Sequence, residues 1–305
     1  MRTRLYDKPV TALSAKLVPE PALAPGQSGE LVIVATMADG KQLTTAGAGR
    51  GKVLFDSFTF DAQTVTVDSS GKAALPTDPR VSEGRLPRVR IMAVGHPGVV
   101  AELDIPVRYD IPYRAQFSGA SGRSGMDGSS GWDGRDGSSG SIDANNPSSG
   151  GDGGNGSAGG NGGDGEDGQA GEDVQVWVTL KPGLRTLFQV RVRSNTREQW
   201  FLIDPNGGSL SIHADGGSGG NGGRGGSGGR GGSGGSGSPS GARGWNGLDG
   251  NAGRSGAAGK AGTITVFVDP AAAPFIGKLH LSNNDGYGKP GPAPQIHNEA
   301  VAALW

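Results

Sequence analysis

The chain contains no cysteine among its 305 residues. Disulfide bonds and thiolate metal sites are therefore excluded, and the redox compartment stays open. Long apolar runs are also missing, since no stretch approaches the roughly 20 residues that a membrane-spanning helix needs. The N-terminal sequence MRTRLYDKPVTALSAKLVPEP has no continuous apolar core, so it does not have the pattern of a signal peptide.

Strong charge and the spacing of catalytic residues are missing too. The formal net charge is −1 at pH 7, which argues against nucleic acid or an anionic membrane as the main partner. The four histidines are scattered: His96, His213, His280 and His297. No metal-binding pair of histidines and no nucleophile motif accompanies them. The sequence therefore predicts no enzyme, no catalytic residue, no cofactor and no metal site.

One stretch, AGAGRGK at 46–52, invites comparison with a phosphate-binding loop. Such a loop needs Ser or Thr directly after the lysine and then a helix. Here Lys52 is followed by Val53 and a strand-like run, so an inter-strand loop is the preferred interpretation.

Glycine is present in excess, with 60 residues. Four blocks of equal length carry it at every third position: 119–140, 150–171, 216–237 and 241–262 (the first to fourth blocks). A period of three is typical of extended polyproline II geometry, with about 3.1 Å rise per residue. Collagen is rich in proline, and these blocks contain none. We therefore predict four antiparallel polyglycine II helices; the alternative is a flexible linker, which has no reason to keep this phase.

The order of the blocks predicts where the other residues lie. Antiparallel blocks about 68 Å long would place the reversals 141–149 and 238–240 together at one end. All remaining residues would then lie at the opposite end. The third block has glycine at two of every three positions, so we expect it to be the most enclosed.

The residues outside the blocks are typical of an all-β protein. Runs rich in Val, Ile, Phe and Thr are separated by Gly- and Pro-containing turns, at 30–38, 52–60, 64–68, 72–75, 88–94 and 99–107. They predict an immunoglobulin-like β-sandwich domain over 1–113. A β-hairpin insert at 172–215, turning at Lys181-Pro182-Gly183, and C-terminal strands and a tail at 263–305 would complete a small second sheet.

An acidic and amide row follows one edge of the second block, and other carboxylates lie nearby: Asp152, Asp164, Glu166, Asp167, Glu172 and Asp173. Gly- and Asp-rich repeats can bind calcium, which is one interpretation of this row. Carboxylates about 9.3 Å apart cannot chelate one ion, because calcium needs oxygens at about 2.3–2.6 Å. The other interpretation is a solvated edge that faces the Arg224 and Arg230 row of the third block.

The phase-locked glycine blocks resemble the polyglycine II bundles of three families: springtail glycine-rich antifreeze proteins, the Obg GTPase N-terminal domain and phage tail-tip adhesins. The resemblance covers about 110 residues, the four blocks. It implies a bundle architecture and favours an extracellular or surface location. The antifreeze family implies ice binding through a flat face of small residues, whereas Arg123, Arg135, Arg243 and Arg254 interrupt the matching rows here. The adhesin family implies receptor binding at the loops of the tip.

Three functional hypotheses follow. The first is a non-catalytic structural or assembly protein, in which a stiff glycine-rich part carries exposed contacts to other copies or other protein subunits. The candidate contacts are Met126, Trp132, Trp245 and Leu248. The alternative is an adhesin that binds a cell-surface receptor or glycan through Ile142, Asp143, Asn145, Asn146, Ser238 and Pro239. Ice binding is the third.

Overall fold

The structure is a computed structural model that describes residues 2–181, 183 and 186–305. Its strands in chain order are β1 Val10–Val18, β2 Ser28–Met37, β3 Gln42–Thr44, β4 Phe58–Gln63, β5 Thr66–Val67, β6 Lys72–Ala74, β7 Arg88–Ala93, β8 Val100–Asp104, β9 Pro112–Gln116, β10 Val174–Lys181, β11 Leu187–Arg193, β12 Glu198–Ile203, β13 Ser209–His213, β14 Ile264–Val268, β15 Leu279–Ser282 and β16 Gln295–Asn298. One α-helical turn, α1 (Pro79–Ser82), and three 3₁₀ segments (Gly47–Gly49, Phe55–Ser57 and Ala273–Lys278) accompany them.

Two sheets share the N-terminal core. One has the order β1-β2-β6-β5 with β3 on β2, and the other has the order β4-β7-β8. Leu31 and Ile33 of β2 and Val89 and Ile91 of β7 are buried between them. The chain folds this way because β2 and β7 carry the β-branched and apolar residues that must leave water.

A second pair of sheets has its own core. The order is β12-β11-β10-β14-β16 in one sheet and β15-β13-β9 in the other. Strands β10 and β11 pair antiparallel, from Gln175 opposite Arg193 to Lys181 opposite Leu187. Pro182 of the predicted hairpin turn lies outside the described residues. The strand β9, which leads into the first glycine block, pairs with β13 in parallel.

The predicted class, all-β with an immunoglobulin-like sandwich, a small second sheet and four antiparallel polyglycine II helices, is wrong in its helical part. The chain is mostly β, with 32% strand and 5% helix, and no bundle of four polyglycine II helices is evident. No helix and no strand is assigned to 119–140, 150–171, 216–237 or 241–262, all of which are described. The physical reason is that these blocks make no hydrogen-bonded turns of their own. Their backbone groups bond to other blocks instead.

The hydrogen bonds of the blocks run sideways. Eight N–H groups of the first block, from Gly119 to Gly140, donate to carbonyls of 215–236. Eight N–H groups of the second block, from Gly150 to Gly171, donate in the same way to carbonyls of 239–260. The donor–acceptor distances in these two sets are 2.6–2.9 Å. Since the donors recur at every third residue, the period of three marks lateral contact between extended segments.

The register shows how the blocks lie. The first and third blocks are parallel, as are the second and fourth, because donor and acceptor numbers rise together in both pairs. The second and third blocks are antiparallel, since Gly220 donates to Glu166 and Gly232 donates to Gly154. Every second glycine of the third block, such as Gly226, is buried. The expectation that this block is the most enclosed is therefore confirmed.

Replacing a buried glycine of the third block should destabilise the protein. A Cβ at Gly232 would lie 2.1 Å from the carbonyl oxygen of Arg135, so Gly232→Ala must push two backbones apart. We expect a loss of about 1–3 kcal/mol of unfolding free energy, larger than the ~0.4–1 kcal/mol that alanine gains through the unfolded chain. Urea unfolding measures it.

The neighbouring substitution Ser233→Ala is the matched control, because Ser233 is exposed and its hydrogen bonds to Asp136 and Gly137 use its backbone N–H and carbonyl, which alanine keeps. An equal effect of both variants would show that the glycine contact is unimportant.

Candidate assembly surface

Four large apolar side chains stand out from the glycine blocks. Met126, Trp132, Trp245 and Leu248 are between 80% and 85% exposed. Because each is solvated, the alternative in which they pack against each other where outer blocks meet is excluded. Each belongs to the first or fourth block, the two that share no backbone hydrogen bond within the described residues.

The same four residues lie at similar heights along the blocks. The carbonyls of Trp132 and Trp245 accept hydrogen bonds from Ser157 and Gly156, two adjacent residues of the second block. The carbonyls of Leu248 and Met126 accept from Gly159 and Gly163. At about 3.1 Å per residue, the set spans about 22 Å. The fold therefore concentrates exposed apolar area in one band.

The two reversals meet at the tip. The N–H of Ser238 donates to the carbonyl of Ser148 at 2.9 Å, and the N–H of Gly150 donates to that of Pro239 at 2.9 Å. Within 141–149 the carboxylate of Asp143 accepts from the N–H of Asn145 at 2.9 Å. Ile142 is 79% exposed beside them. The structure thus brings the six predicted tip residues to one end of the molecule.

The acidic and amide row of the second block accepts hydrogen bonds from the fourth block. Its side-chain oxygens bond to N–H groups 90 residues later, at 2.6–2.8 Å: Asp152 to Ala242, Asn155 to Trp245, Asn161 to Asn251, Asp164 to Arg254 and Asp167 to Ala257. These N–H groups have no backbone acceptor among the described residues. The row therefore replaces water as the partner of otherwise solvent-facing donors.

The first block does the same for the third. Asp127 and Asp133 accept from the N–H groups of Arg224 and Arg230, and Asp136 accepts from that of Ser233, each 97 residues apart. The predicted neighbour of the arginine row was the second block, and this is corrected to the first. The contact is also with the arginine backbones. Sequence reasoning missed both acceptor rows. A signal for them exists, because each acceptor precedes its donor by a constant number of residues, 97 in the first row and 90 in the second.

The calcium interpretation of the acidic row finds no support in this geometry. Among the described residues, no group of three or more His, Cys, Asp or Glu could hold a metal ion. Glu172 instead forms an ion pair with Arg197 at 2.8 Å. The Asp and Asn oxygens are spaced along the block and used by backbone donors.

We expect the acceptor rows to act through an oxygen atom and not through charge, because Asn155 and Asn161 occupy the same role as Asp164. Asp164→Ala removes one acceptor and should cost about 0.5–1.5 kcal/mol of unfolding free energy. Asp164→Asn keeps an oxygen and should be nearly neutral. Chemical denaturation compares the two, with and without calcium. Equal losses in both variants, or stabilisation by calcium, would contradict the acceptor role.

A carboxylate joins the second pair of sheets to the third block. The side chain of Asp215 accepts from the Ser282 hydroxyl and the Asn284 N–H, both at 2.7 Å, and lies 3.2 Å from Nδ1 of His213. Burial raises the pKa of Asp215, but the hydrogen bonds from Asn284, Ser282 and His213 outweigh it, so the net pKa lies below the ordinary 3.8. The hydroxyl and N–H of Thr263 likewise lower the pKa of Asp173.

These lowered pKa values predict acid sensitivity at the junction. A carboxylate with a depressed folded-state pKa stabilises the protein above its unfolded pKa, and the contribution is lost as pH falls through the folded pKa. The stability that Asp215 contributes should therefore fall below about pH 4. Asp215→Asn should make the dependence of unfolding free energy on pH shallower between pH 5 and 3. An unchanged slope would contradict this assignment, and Asp39→Asn on an exposed turn is the control.

A row of stacked side chains crosses the outer face of the second core's larger sheet. Trp177 stacks on Phe267 at 5.6 Å between ring centroids, and Phe267 stacks on His297 at 5.5 Å. The Arg191 guanidinium lies 4.9 Å from the Trp177 ring. Because the rings cover each other's faces, the row stabilises the pairing of β10, β14 and β16. It offers little open ring face to a ligand.

The loop at 46–52 has no phosphate-binding geometry. Gly47–Gly49 is a single 3₁₀ turn, and the N–H of Ala48 donates to the carboxylate of Glu30 at 3.3 Å. A carboxylate in that position would repel a phosphate.

Within the described part of the chain, no helix has the length and apolar character required to cross a membrane. Comparison with protein-family models, curated proteins and solved structures finds no match.

Proposed function

We propose that the protein is a non-catalytic structural protein, which assembles with copies of itself or with other protein subunits through the band formed by Met126, Trp132, Trp245 and Leu248. The observation that carries this is the 80–85% exposure of all four side chains, whose backbones lie within about 22 Å along the direction of the blocks. Apolar side chains of this size are costly to leave in water. Tryptophan is also enriched among the residues that dominate binding energy at protein interfaces.

The glycine blocks suit the role of a spacer. Each block is bonded sideways at every third residue, so it is held straight along its length. The two apolar cores lie at one end, and the reversals at 141–149 and 238–240 close the other. A band carried on such a part stays at a defined distance from the β-sheets. We propose a location at a surface or in a larger assembly, where a spacer of this kind separates the band from the β-sheets.

The second candidate is an adhesin that binds a cell-surface glycan or receptor at the tip. It is favoured by the joining of the two reversals through Ser238 and Pro239 and by the exposure of Ile142 beside them. Asn145 and Asn146 are exposed there and could hydrogen-bond a sugar. The tip has a single large apolar side chain among its six predicted residues, whereas the band has four, and this makes assembly the preferred function.

Removing the two indoles should abolish assembly. The variant Trp132→Ser/Trp245→Ser should be a monomer at concentrations where the wild-type chain forms oligomers, because the apolar area of the contact is lost. Size-exclusion chromatography with light scattering at several concentrations measures it. The unfolding temperature should change little, since the backbone bonds of both residues are kept.

The matched control is Arg135→Ser/Arg254→Ser, which alters exposed residues of the same two rows. It should leave the oligomer intact. A wild-type chain that is monomeric at high concentration and is unchanged by the tryptophan substitutions would refute the proposal.

A further inference from the structure

The hydrogen bonds between successive blocks follow one constant pattern. Each new block donates hydrogen bonds to the block before it and accepts them from the block before that. In the third block, Gly220 donates to Glu166 of the second, and Ser218 accepts from Gly122 of the first. The fourth block repeats this, since Gly256 donates to Gly220 of the third and Arg254 accepts from Gly165 of the second.

A short segment after the fourth block continues this hydrogen-bond pattern. The N–H of Gly286 donates to the carbonyl of Gly259 in the fourth block at 2.9 Å, and the carbonyl of Asn284 accepts from Gly216 in the third at 2.8 Å. A Cβ at Gly286 would lie 2.0 Å from the carbonyl of Gly217. Residues 284–286 therefore occupy the first position of a fifth segment. The chain then turns away at Gly288, which has a φ of 83°.

Beyond this position the donors and acceptors of the fifth segment are open. The N–H groups of Gly219, Gly222 and Gly225 have no hydrogen-bond partner among the described residues. The carbonyls of Gly250, Gly253 and Gly256 also accept nothing there. These two rows line the same groove, because a Cβ at Gly219 would lie 2.1 Å from the carbonyl of Gly256. Unpaired backbone rows of this kind are templates for another chain.

The groove has a defined length and is lined by small side chains. At its far end the side chains of Asp249 and Asn246 accept from Gly228 and Gly231 at 2.8 and 2.9 Å, and so close it. In the same register, three residues of the fourth block lie opposite the open N–H groups: Ala252 opposite Gly225, Ser255 opposite Gly222 and Ala258 opposite Gly219. The two alanines have no side-chain oxygen to accept a hydrogen bond, and the Ser255 hydroxyl accepts none from Gly222. Three triplets remain open, about 28 Å of extended chain.

We propose that this groove binds an extended segment of another polypeptide with glycine at every third residue. The donors repeat every three residues, about 9.3 Å apart, which matches a chain with three residues per turn. A β-strand repeats its pairing every two residues, at about 6.8 Å, and so does not match. The residue equivalent to Gly286 must again be glycine, because its Cβ would meet a carbonyl.

The occupant is a free segment and not a block of a second folded copy. The outer blocks of this fold turn their regular glycine rows inward, against neighbouring backbones. Their outward rows carry side chains, including Arg123 and Arg243. The groove involves none of the four apolar residues of the assembly band, so this site stands independently of the proposed function.

Binding of a synthetic peptide tests the site. The probe is a fluorescent peptide of four Gly-Gly-Ser triplets, and the control peptide has the same composition with its glycines out of phase. Fluorescence anisotropy with the full chain should show saturable binding of the probe. The out-of-phase peptide should bind at least about tenfold more weakly, because two or more hydrogen bonds are lost.

Two variants move the affinity in opposite directions. Ala252→Asp/Ser255→Asn places oxygens opposite Gly225 and Gly222, fills the groove from within and should weaken binding by about tenfold or more. Asp249→Ala frees the N–H of Gly228 and should strengthen binding about three- to tenfold by the same reasoning. Ala158→Asp is the matched control: it adds the same charge to the second block, 90 residues before Leu248, and should leave binding unchanged.

The outcomes decide the proposal. Absence of binding to both the wild-type chain and Asp249→Ala at millimolar peptide overturns it, as does equal binding of the two peptides. Unchanged binding by folded Ala252→Asp/Ser255→Asn, checked by its thermal unfolding, overturns it too. A wild-type dimer that this double variant separates, without peptide binding, would assign the groove to a second copy and also overturn the proposal.

Discussion

Lateral backbone hydrogen bonds between glycine-rich blocks are the interaction on which the rest of this structure depends. The blocks make no hydrogen-bonded turns of their own, so their N–H and C=O groups need partners in neighbouring segments. Glycine is required at the positions where a Cβ would collide with a neighbouring backbone; at Gly226, for example, it would lie 2.0 Å from the carbonyl of Ser129. Side chains on the blocks therefore lie on the outer edges of the stack, because the inner contacts leave no room for a Cβ. This is why large apolar residues on the blocks are exposed.

The two β cores supply what the blocks lack. Apolar burial is concentrated in the sheets, around residues such as Ile33 in one core and Phe188 in the other. A stack of glycines buries little apolar surface, and its ordering costs much backbone entropy. Anchoring through β9, β13 and β14, which run directly into or out of the blocks, lowers that cost by holding block ends in register. The side-chain acceptors add partners along the length.

Several elements were predictable because their signal is local. Strand β2 and the hairpin of β10 and β11 follow from apolar patterns that also decide their burial. Strand β1 was missed because VTALSAKLV mixes small and polar residues, and it is ordered by eight register positions on β2. Strand β16, fully exposed, forms through its parallel pairing with β14. The helices predicted for the glycine blocks were wrong because a period of three marks contacts between segments as well as a turn within one.

The amino-acid sequence by itself determined where backbones must touch, which blocks run in the same direction and that the reversals at 141–149 and 238–240 share one end. These depend on the phase of glycine and on the order of blocks along the chain. Only the tertiary structure decided which block bonds to which, which N–H groups Asp164 and Asp127 satisfy, and that Asn284 and Gly286 begin a fifth position. Those choices join residues that are tens of positions apart, up to 97 for Asp127 and Arg224, and one glycine period is compatible with several lateral arrangements.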